Sequence, residues 1–269
     1  MFDMHVHTDD SPDAEIHAVE LVKLGRKAGL TQLGFVAHLD LNPDDYCHGG
    51  FDPEGYDHSI RKARIEAGGD LTVMKGLEVG EPHRFEDEVK SMVRYADYDY
   101  IVGALHWIER GALILGADAF GEGDPLELVE EYYIETQCMV EKADIDVLAH
   151  MGLFRRGMAL ADLDCSLDET ALWPNLISRI LETLVERDIA LELNTSGLRR
   201  REGITYPTER VISLYRDLGG TLLTVGSDTH RRKHLFYGLK EGRELLLAKG
   251  FSSTCSFAER EPVVFDLLP

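Results

Sequence analysis

The sequence predicts an α/β protein whose strands form a barrel of seven strand–helix units. Apolar strand patterns alternate with amphipathic helical patterns along the chain, which is typical of a mostly parallel sheet. Seven such units favour a barrel over an open sheet. Histidines and acids recur where the predicted strands end, and a barrel has its active site at that rim. The 269 residues suffice for one large barrel, so we expect residues 1–269 to form a single domain.

The first strand, residues 3–8, ends in His5 and His7, which point to the same side because strand side chains alternate. An apolar stripe that includes Ile16 and Val19 predicts the first helix, which Gly29 ends. A loop rich in Gly, Pro and Asp over 42–56 precedes the second helix. The later strands are predicted at 33–38, 71–79, 98–107, 146–150, 189–194 and 221–227. The helices are predicted at 14–28, from the end of the 42–56 loop to about 67, and at 85–95, 125–142, 172–187, 207–218 and 239–249. A short extended tail follows the last helix.

Charge and composition limit the partners and the compartment. The formal net charge is −21, from 49 acids and 28 bases, which disfavours long nucleic acid and anionic membranes as partners. We find no apolar run near the ~20 residues that span a membrane and no basic signal-peptide start, so we expect a cytoplasmic protein. The cysteines show no C-x-x-C spacing, and we expect neither disulfides nor a cysteine zinc site. They are Cys47, Cys138, Cys165 and Cys255.

Metal-capable side chains fall at or just after the ends of the predicted strands. Imidazole and carboxylate groups in this number suit two or three clustered Zn, Mn or Fe ions, since one zinc ion takes about four ligands. Glu78 is the expected bridge, and Asp13 is a second candidate for that role. His83 lies five positions after Glu78 and stays outside the core set. The predicted ligands are His5, His7, Asp13, His38, Glu78, His106, His150, Asp228 and His230.

The motifs DMHVHT, AHLD, GLEV, GALHW, LAHMG and GSDTH, in this order, resemble those of the PHP (polymerase and histidinol phosphatase) superfamily. The resemblance runs from residue 3 to about residue 230 and implies a distorted, TIM-like seven-stranded barrel that usually holds three metal ions. It implies the same histidines, Glu78 and Asp228 as ligands. Two features depart from the pattern. Ala37 precedes His38 where the family usually has an aspartate, and Asp13 stands where many histidinol phosphatases have a histidine.

The segment from Leu193 to Arg200, LNTSGLRR, resembles the histidinol-phosphatase branch of the superfamily. It follows a predicted strand onto the same rim, and arginine offers a donor fork that matches phosphate oxygens. We therefore expect Arg199 and Arg200 to bind phosphate, without separating their roles. Asn194 is a candidate for binding a substrate amine or for supporting a metal ligand. Arg155 and Arg156, after His150, are further candidates at the barrel mouth.

The expected activity is metal-dependent hydrolysis of a phosphomonoester by a metal-activated hydroxide, with Glu78, Asp228 and His230 as catalytic residues. The resemblance implies L-histidinol phosphate as the substrate and a role in histidine biosynthesis. Three alternatives stay open: another PHP phosphoesterase that acts on nucleotides or sugar phosphates, a metal-dependent amidohydrolase, and a non-catalytic metal-binding protein. We find no P-loop, G-x-S-x-G elbow or G-x-G-x-x-G fingerprint.

Overall fold

The computed structural model describes residues 1–94 and 96–267. The strands are β1 (Phe2–His7), β2 (Gln32–Leu39), β3 (Thr72–Gly80), β4 (Tyr100–Ala104), β5 (Trp107–Ile108), β6 (Ala112–Leu113), β7 (Val147–Leu148), β8 (Ala190–Asn194), β9 (Leu223–Gly226), β10 (Ser253–Ala258) and β11 (Glu261–Asp266). Seven of them form one parallel sheet in the order β1-β2-β3-β4-β7-β8-β9, and two short antiparallel hairpins accompany it.

The first and last strands of the sheet curl together, so that the barrel is nearly closed. Val6 of β1 forms a parallel bridge with Thr229, just beyond β9. The His7 N–H donates to the Thr229 carbonyl at 2.9 Å, and the Asp228 N–H donates to the His5 carbonyl at 2.8 Å. The predicted seven-stranded barrel is confirmed.

The helices lie between the strands of the barrel, as the alternating pattern predicts. No helix within the described residues has both the length and the apolar composition for crossing a bilayer. The helices are α1 (Ala18–Lys27), α2 (Pro53–Ala67), α3 (Glu86–Val93), α4 (Pro125–Lys142), α5 (Arg155–Leu160), α6 (Glu169–Leu172), α7 (Pro174–Glu186), α8 (Glu209–Asp217) and α9 (Leu239–Ala248).

Two predicted strands are shorter than expected because side chains take their backbone donors. The strand predicted over 98–107 ends at Ala104, since the Glu81 carboxylate accepts the N–H groups of His106 and Trp107 at 2.7 and 2.9 Å. The chain then turns into the β5–β6 hairpin. The strand predicted over 146–150 keeps only Val147–Leu148, and the His150 N–H donates to Glu192 at 2.8 Å.

Other boundaries also differ from the predicted ones. The first helix begins at Ala18 rather than at residue 14, since the segment before it is hydrogen-bonded to the rim, with the Glu15 N–H donating to the His230 carbonyl. Helices α5 and α6 were not predicted. The helix predicted over 85–95 is described from Glu86 to Val93, and Tyr95 lies outside the described residues. The expected extended tail is the hairpin β10–β11.

The barrel interior is filled at the end opposite the strands' carboxyl ends. Tyr100 is fully buried and donates to the Met4 carbonyl at 2.8 Å. A Cβ added at Gly76 would lie 2.5 Å from the Tyr100 ring, so only glycine admits this side chain there. The terminal hairpin covers the same end, where Phe265 packs edge-on against Phe2 at 4.8 Å. The polar residues are therefore concentrated at the other end.

Candidate metal centre and active site

Glu78 stands at the middle of the polar rim, and its two carboxylate oxygens face histidines from four strands or strand ends. Its side chain is 1% exposed. Its Oε2 atom lies 3.2–3.4 Å from ring nitrogens of three histidines, and its Oε1 atom lies 2.9 and 3.7 Å from those of two others. These neighbours are His5, His7 and His38 for Oε2, and His150 and His106 for Oε1.

A second group of ligands lies on the outer side of this carboxylate. His230 Nε2 is 3.1 Å from Asp13 Oδ2, and its Nδ1 is 3.2 Å from Asp228 Oδ1. His38 Nε2 approaches His230 Nε2 to 3.4 Å. Asp228 Oδ1 also lies 3.9 Å from His7 Nε2, which connects the two groups. All nine predicted ligands are thus part of one connected cluster.

The cluster fits divalent metal ions on its own geometry. The Nε2 atoms of His5 and His7 point at each other across 3.1 Å, an arrangement that suits two ligands of a shared ion. Several buried donor atoms have polar neighbours at 3.2–3.7 Å but no properly oriented hydrogen bond within the described residues, among them Asp13 Oδ1, His38 Nδ1 and Glu78 Oε2. Such orphaned atoms are rare in native interiors unless an ion or water completes them. The imidazole and carboxylate donors suit Zn, Mn or Fe.

The ionisable groups of the cluster shift each other's pKa strongly in the metal-free protein. Burial opposes the charged form of His38, yet the Glu78 and Asp40 carboxylates raise the pKa of His38 to about 9. Asp40 and Glu78 raise the pKa of His106 to about 9 against the same opposition from burial. His7 differs, because burial and the charges of His230 and His38 lower its pKa to about 3. The neighbouring histidines hold the pKa of Glu78 well below its ordinary value despite burial.

Two carboxylates that the sequence analysis missed hold the ligands in place. Glu192 on β8 lies 2.7 Å from His5 Nδ1 and accepts the His150 N–H at 2.8 Å. Asp40 lies 3.2 Å from His38 Nδ1 and 3.5 Å from His106 Nδ1. Carboxylates behind metal-ligating imidazoles fix the tautomer and orientation of the ring. An acid inside the otherwise apolar strand segment ALELN was the available signal for Glu192.

Asn194 does not face the open cavity, contrary to the expected substrate contact. It is fully buried, donates to Glu192 Oε2 at 3.1 Å, and accepts the Ser196 N–H at 2.9 Å. Both polar atoms of its amide are therefore used within the protein. The alternative role, support of a metal ligand through Glu192, agrees with these contacts.

The donor groups of Arg199 are partly used by backbone carbonyls. Its terminal nitrogens donate to the carbonyls of Ser227 and Asp228 at 2.5 and 2.7 Å. Asp228 has a left-handed backbone with φ of 53°, which a non-glycine residue adopts at some cost. Arg199 thus holds the turn that carries the predicted ligand Asp228, and its Nε atom is buried without a hydrogen-bond partner among the described residues. Its phosphate contact stays a prediction.

Arg200 and Arg156 are the arginines left without anionic partners at the rim. Neither forms an ion pair among the described residues, and the Nε atoms of both are buried without a hydrogen-bond partner. Burial and the charge of the nearby Arg200 lower the pKa of Arg156. Arg155, in contrast, is fully buried and pairs with Glu169 at 2.6 Å. Of the two candidates after His150, only Arg156 lines the cavity over the metal cluster.

This cavity has a volume of about 320 Å³ and is lined by side chains of both charges. Its lining includes Arg156 as well as Asp44 and Asp45 from the loop after β2. Asp45 is fixed in place, since it accepts the Trp107 Nε1–H at 2.8 Å. Leu113, Leu115 and Leu153 supply apolar wall. His83, which the sequence analysis left out of the ligand set, lies 3.9 Å from Glu135 and outside this lining.

A model of the PHP domain family matches residues 3–196, well over half of the chain. The chain belongs to the PHP domain family. The resemblance inferred from the motifs is thereby confirmed. Seven of the nine predicted ligands lie inside the match, whereas Asp228 and His230 follow it and are brought to the cluster by the fold.

Curated PHP relatives cover nearly the whole chain. A probable histidinol-phosphatase of Clostridium acetobutylicum is 27% identical over 91% of this chain and 92% of its own length. A probable histidinol-phosphatase of Thermotoga maritima is 28% identical over 90% of this chain and 89% of its own length. The histidinol phosphate phosphatase of Lactococcus lactis, solved with zinc, L-histidinol and phosphate, superposes with a TM-score of 0.85 at 21% identity. It covers 97% of this chain and 98% of its own, and shows that the two proteins share the PHP fold.

Proposed function

We propose that this PHP protein is a metal-dependent phosphomonoesterase that hydrolyses L-histidinol phosphate to L-histidinol and phosphate, a step of histidine biosynthesis. One observation carries the proposal: nine metal-capable donors form one cluster, and seven of them line a single cavity together with an unpaired arginine, with a second unpaired arginine nearby. In a protein of net charge −21, two half-buried guanidinium groups whose buried Nε atoms have no partner imply an anion that they bind. The names of the relatives agree with phosphate-ester chemistry.

The donors divide into three overlapping groups, each of which would hold one Zn, Mn or Fe ion. Bound divalent ions lower the pKa of water towards ~7 and neutralise charge on a phosphoryl group. Glu78 belongs to more than one group and is the proposed bridge. The groups are His5, His7, Glu78 and Asp228; Glu78, His106 and His150; and Asp13, His38 and His230.

The chain's own residues bind and orient the ester. Arg156 and Arg200 donate to non-bridging phosphate oxygens and stabilise the charge that develops on them. Glu78, Asp228 and His230 line the cavity, and we assign them the catalytic role of fixing the reacting centre opposite these arginines. His230, whose side chain is 21% exposed, is more open to the cavity than the fully buried His7.

The presence of both positive and negative side chains in the cavity lining favours histidinol phosphate over the other esters. This substrate carries an anionic phosphate and, at its other end, an ammonium and an imidazole. Asp44 and Asp45 offer carboxylates to those cationic groups, and Trp107 with the leucine wall offers apolar surface to the ring. Sugar phosphates bring no cation to these carboxylates, and a long nucleic acid would meet a strongly acidic surface.

The test is phosphate release by the purified protein after chelation and after adding back Mn, Zn or Fe separately. We expect metal-restored turnover on L-histidinol phosphate, with kcat/KM well above that on mononucleotides, sugar phosphates and 4-nitrophenyl phosphate. Turnover on another ester instead would keep the phosphatase site and replace the substrate. A fully metal-loaded protein that hydrolyses none of these esters would support the amidohydrolase or the non-catalytic alternative.

A further inference from the structure

The loop between β2 and α2 places a cysteine beside the metal cluster. Cys47 is 6% exposed and lines the same cavity as the ligands. Its Sγ atom, a carboxylate oxygen of Asp13 and a ring nitrogen of His38 all lie within 4.8 Å of one another. The spacing of the cysteines predicted no such site, because Cys47 has no cysteine partner nearby in the sequence.

The loop is held over this corner of the cluster by hydrogen bonds. The Cys47 N–H donates to Asp45 Oδ1 at 2.7 Å, and Asp45 is in turn bound to Trp107. One ring nitrogen of His48, Nδ1, lies 3.3 Å from the Asp40 carbonyl. The position of the thiol thus follows from contacts on both sides of it.

One of the three converging residues has a donor atom that no hydrogen bond in the described residues satisfies. Asp13 Oδ1 is buried without a hydrogen-bond partner and lies 3.7 Å from Nε2 of His38, which as a whole is 7% exposed. Asp13 also meets His230 at 3.1 Å. Carboxylate, imidazole and sulfur donors that meet at unsatisfied atoms suit a divalent ion better than they suit packing alone.

We propose that Cys47 supplies a thiolate ligand to the third metal position, together with Asp13, His38 and His230. The inference rests on the proposed metal centre and deepens it. These four donors match the number that zinc takes. Thiolate is a soft ligand that favours zinc over manganese at a site otherwise built of nitrogen and oxygen. A thiol that coordinates a cation is deprotonated outright, so burial does not prevent its binding.

The experiment replaces the metals by cobalt(II), which takes zinc-like sites and reports a thiolate ligand by charge-transfer absorption in the near ultraviolet. Metal-free protein is titrated with cobalt, and bound cobalt is counted by elemental analysis. We expect this absorption in the wild type and its loss in Cys47→Ser. Cys165→Ser is the matched control, because that half-buried thiol lines a different cavity. The control protein should keep the absorption.

A competition titration gives a second readout that does not depend on activity. Cys47→Ser should bind one zinc ion at least about tenfold more weakly than the wild type, with a smaller change for manganese. Cys47→Ala, checked by circular dichroism, replaces the serine variant if that one does not fold. If neither variant folds, the wild-type spectrum and the Cys165→Ser spectrum decide.

The outcomes separate this proposal from the proposed function. Cobalt bound without thiolate absorption would overturn the ligand role of Cys47 and leave the phosphatase proposal intact. Absorption that persists in a folded Cys47→Ser protein would assign the thiolate to another cysteine and would also overturn it. Failure to bind cobalt, zinc or manganese at all would overturn the metal centre itself.

Discussion

The histidines of the proposed metal centre differ in whether they must lose a proton when a metal binds. His38 and His106 have pKa values of about 9 in the metal-free protein, since Glu78 and Asp40 outweigh the effect of burial. Both are therefore protonated at neutral pH. His7, with a pKa of about 3, is already neutral. Since a ligating imidazole must be neutral, metal binding releases protons from the first two residues and none from His7.

The expected result is a proton release that persists well above the ordinary histidine pKa. Below about pH 8, His38 and His106 should each release a proton on binding, and their contribution should fall as the pH rises through about 9. Against burial, Asp13 and Asp228 raise the pKa of His230 to about 10, and Cys47 is proposed to bind as a thiolate, so release from these two residues should continue to higher pH. Calorimetry of metal binding in buffers of different ionisation enthalpy counts these protons at each pH. A release that has already vanished at about pH 8 would mean that the carboxylates do not hold these charges.

Substitution of Arg199 and substitution of its neighbour Arg200 should have different effects on the protein. Arg200→Gln removes an unpaired guanidinium from the proposed phosphate site, so kcat/KM should fall roughly 10- to 100-fold, as for a lost hydrogen bond of ~1.5–3 kcal/mol to a charged group, with metal content kept. Arg199→Gln frees the carbonyls of Ser227 and Asp228 and should lower metal content and thermal stability. Steady-state kinetics and metal analysis on both variants test this, and identical behaviour of the two would contradict the division of roles.

At the residue scale, donor chemistry was predictable and side-chain direction was not. The nine ligands follow from residue types that recur at strand ends, as His38 and Glu78 illustrate. The choice of Arg156 and Arg200 over Arg155 and Arg199 depends on how the chain turns after β7 and β8. Those turns depend on contacts distant in sequence, such as that between Arg199 and the Asp228 carbonyl.

At the element scale, the position of β9 depends on Gly226, its last residue, which has no side chain. A Cβ added at Gly226 would lie 2.3 Å from Glu192 Oε1 and 2.4 Å from the His5 Cβ. Glycine there lets the carboxylate of β8 reach the imidazole of β1, a pair 187 positions apart in the chain. This close approach, rather than any unusual backbone angle, is the reason for the glycine.

Gly226→Ala should therefore disturb both the sheet and the metal centre. The added methyl group must push Glu192 or His5 aside, which we expect to cost ~1–3 kcal/mol in the free energy of unfolding and to weaken metal binding. Gly116→Ala is the control, since its nearest neighbour would be the Leu113 carbonyl at an ordinary 3.6 Å. Denaturant titration and metal analysis measure the two effects. A Gly226→Ala protein with normal stability and metal content would show that the Glu192–His5 contact is dispensable.

Element types were predicted more reliably than element ends. Helix α4 matches its predicted bounds of 125–142, because Pro125 and the Asp124 cap mark its start in the sequence. Strands β4 and β7 were predicted too long, since the backbone donors near their ends bind Glu81 and Glu192. Both acids lie far along the chain from the strands they shorten, so a local pattern could not reveal them.

At the scale of the whole molecule, the alternation of strands and helices predicted the barrel, and the family match confirms it. The prediction that residues 1–269 form a single domain stays a prediction. How the barrel closes was not predictable, since it depends on the N-terminal strand meeting residues more than 200 positions later. Asp3, which carries part of that contact, accepts hydrogen bonds from the Ser227 N–H and hydroxyl at 2.9 and 2.5 Å.

The same closure brings together predicted metal ligands from both ends of the barrel sheet. His5 and His7 end β1, whereas Asp228 and His230 follow β9, and the backbone bonds around Thr229 join the two segments. The ladder between β2 and β3, in contrast, is continuous from Gln32 to Leu39. A bound ion that takes ligands from both segments should therefore stabilise the closure more than the rest of the barrel.

Removal of the metal ions by chelation should accordingly destabilise the barrel mainly where β1 meets the segment that follows β9. We expect faster amide hydrogen exchange over residues 2–7 and 223–230 in the metal-free protein, with β2 and β3 changed little, and a lower melting temperature. Ions at about 100 times their Kd would contribute ~2.7 kcal/mol per site, a large share of the stability of an ordinary domain. Exchange measured by mass spectrometry with and without metal locates the effect. Equal loosening of all strands would mean that the ions stabilise the barrel as one cooperative unit rather than at its closure.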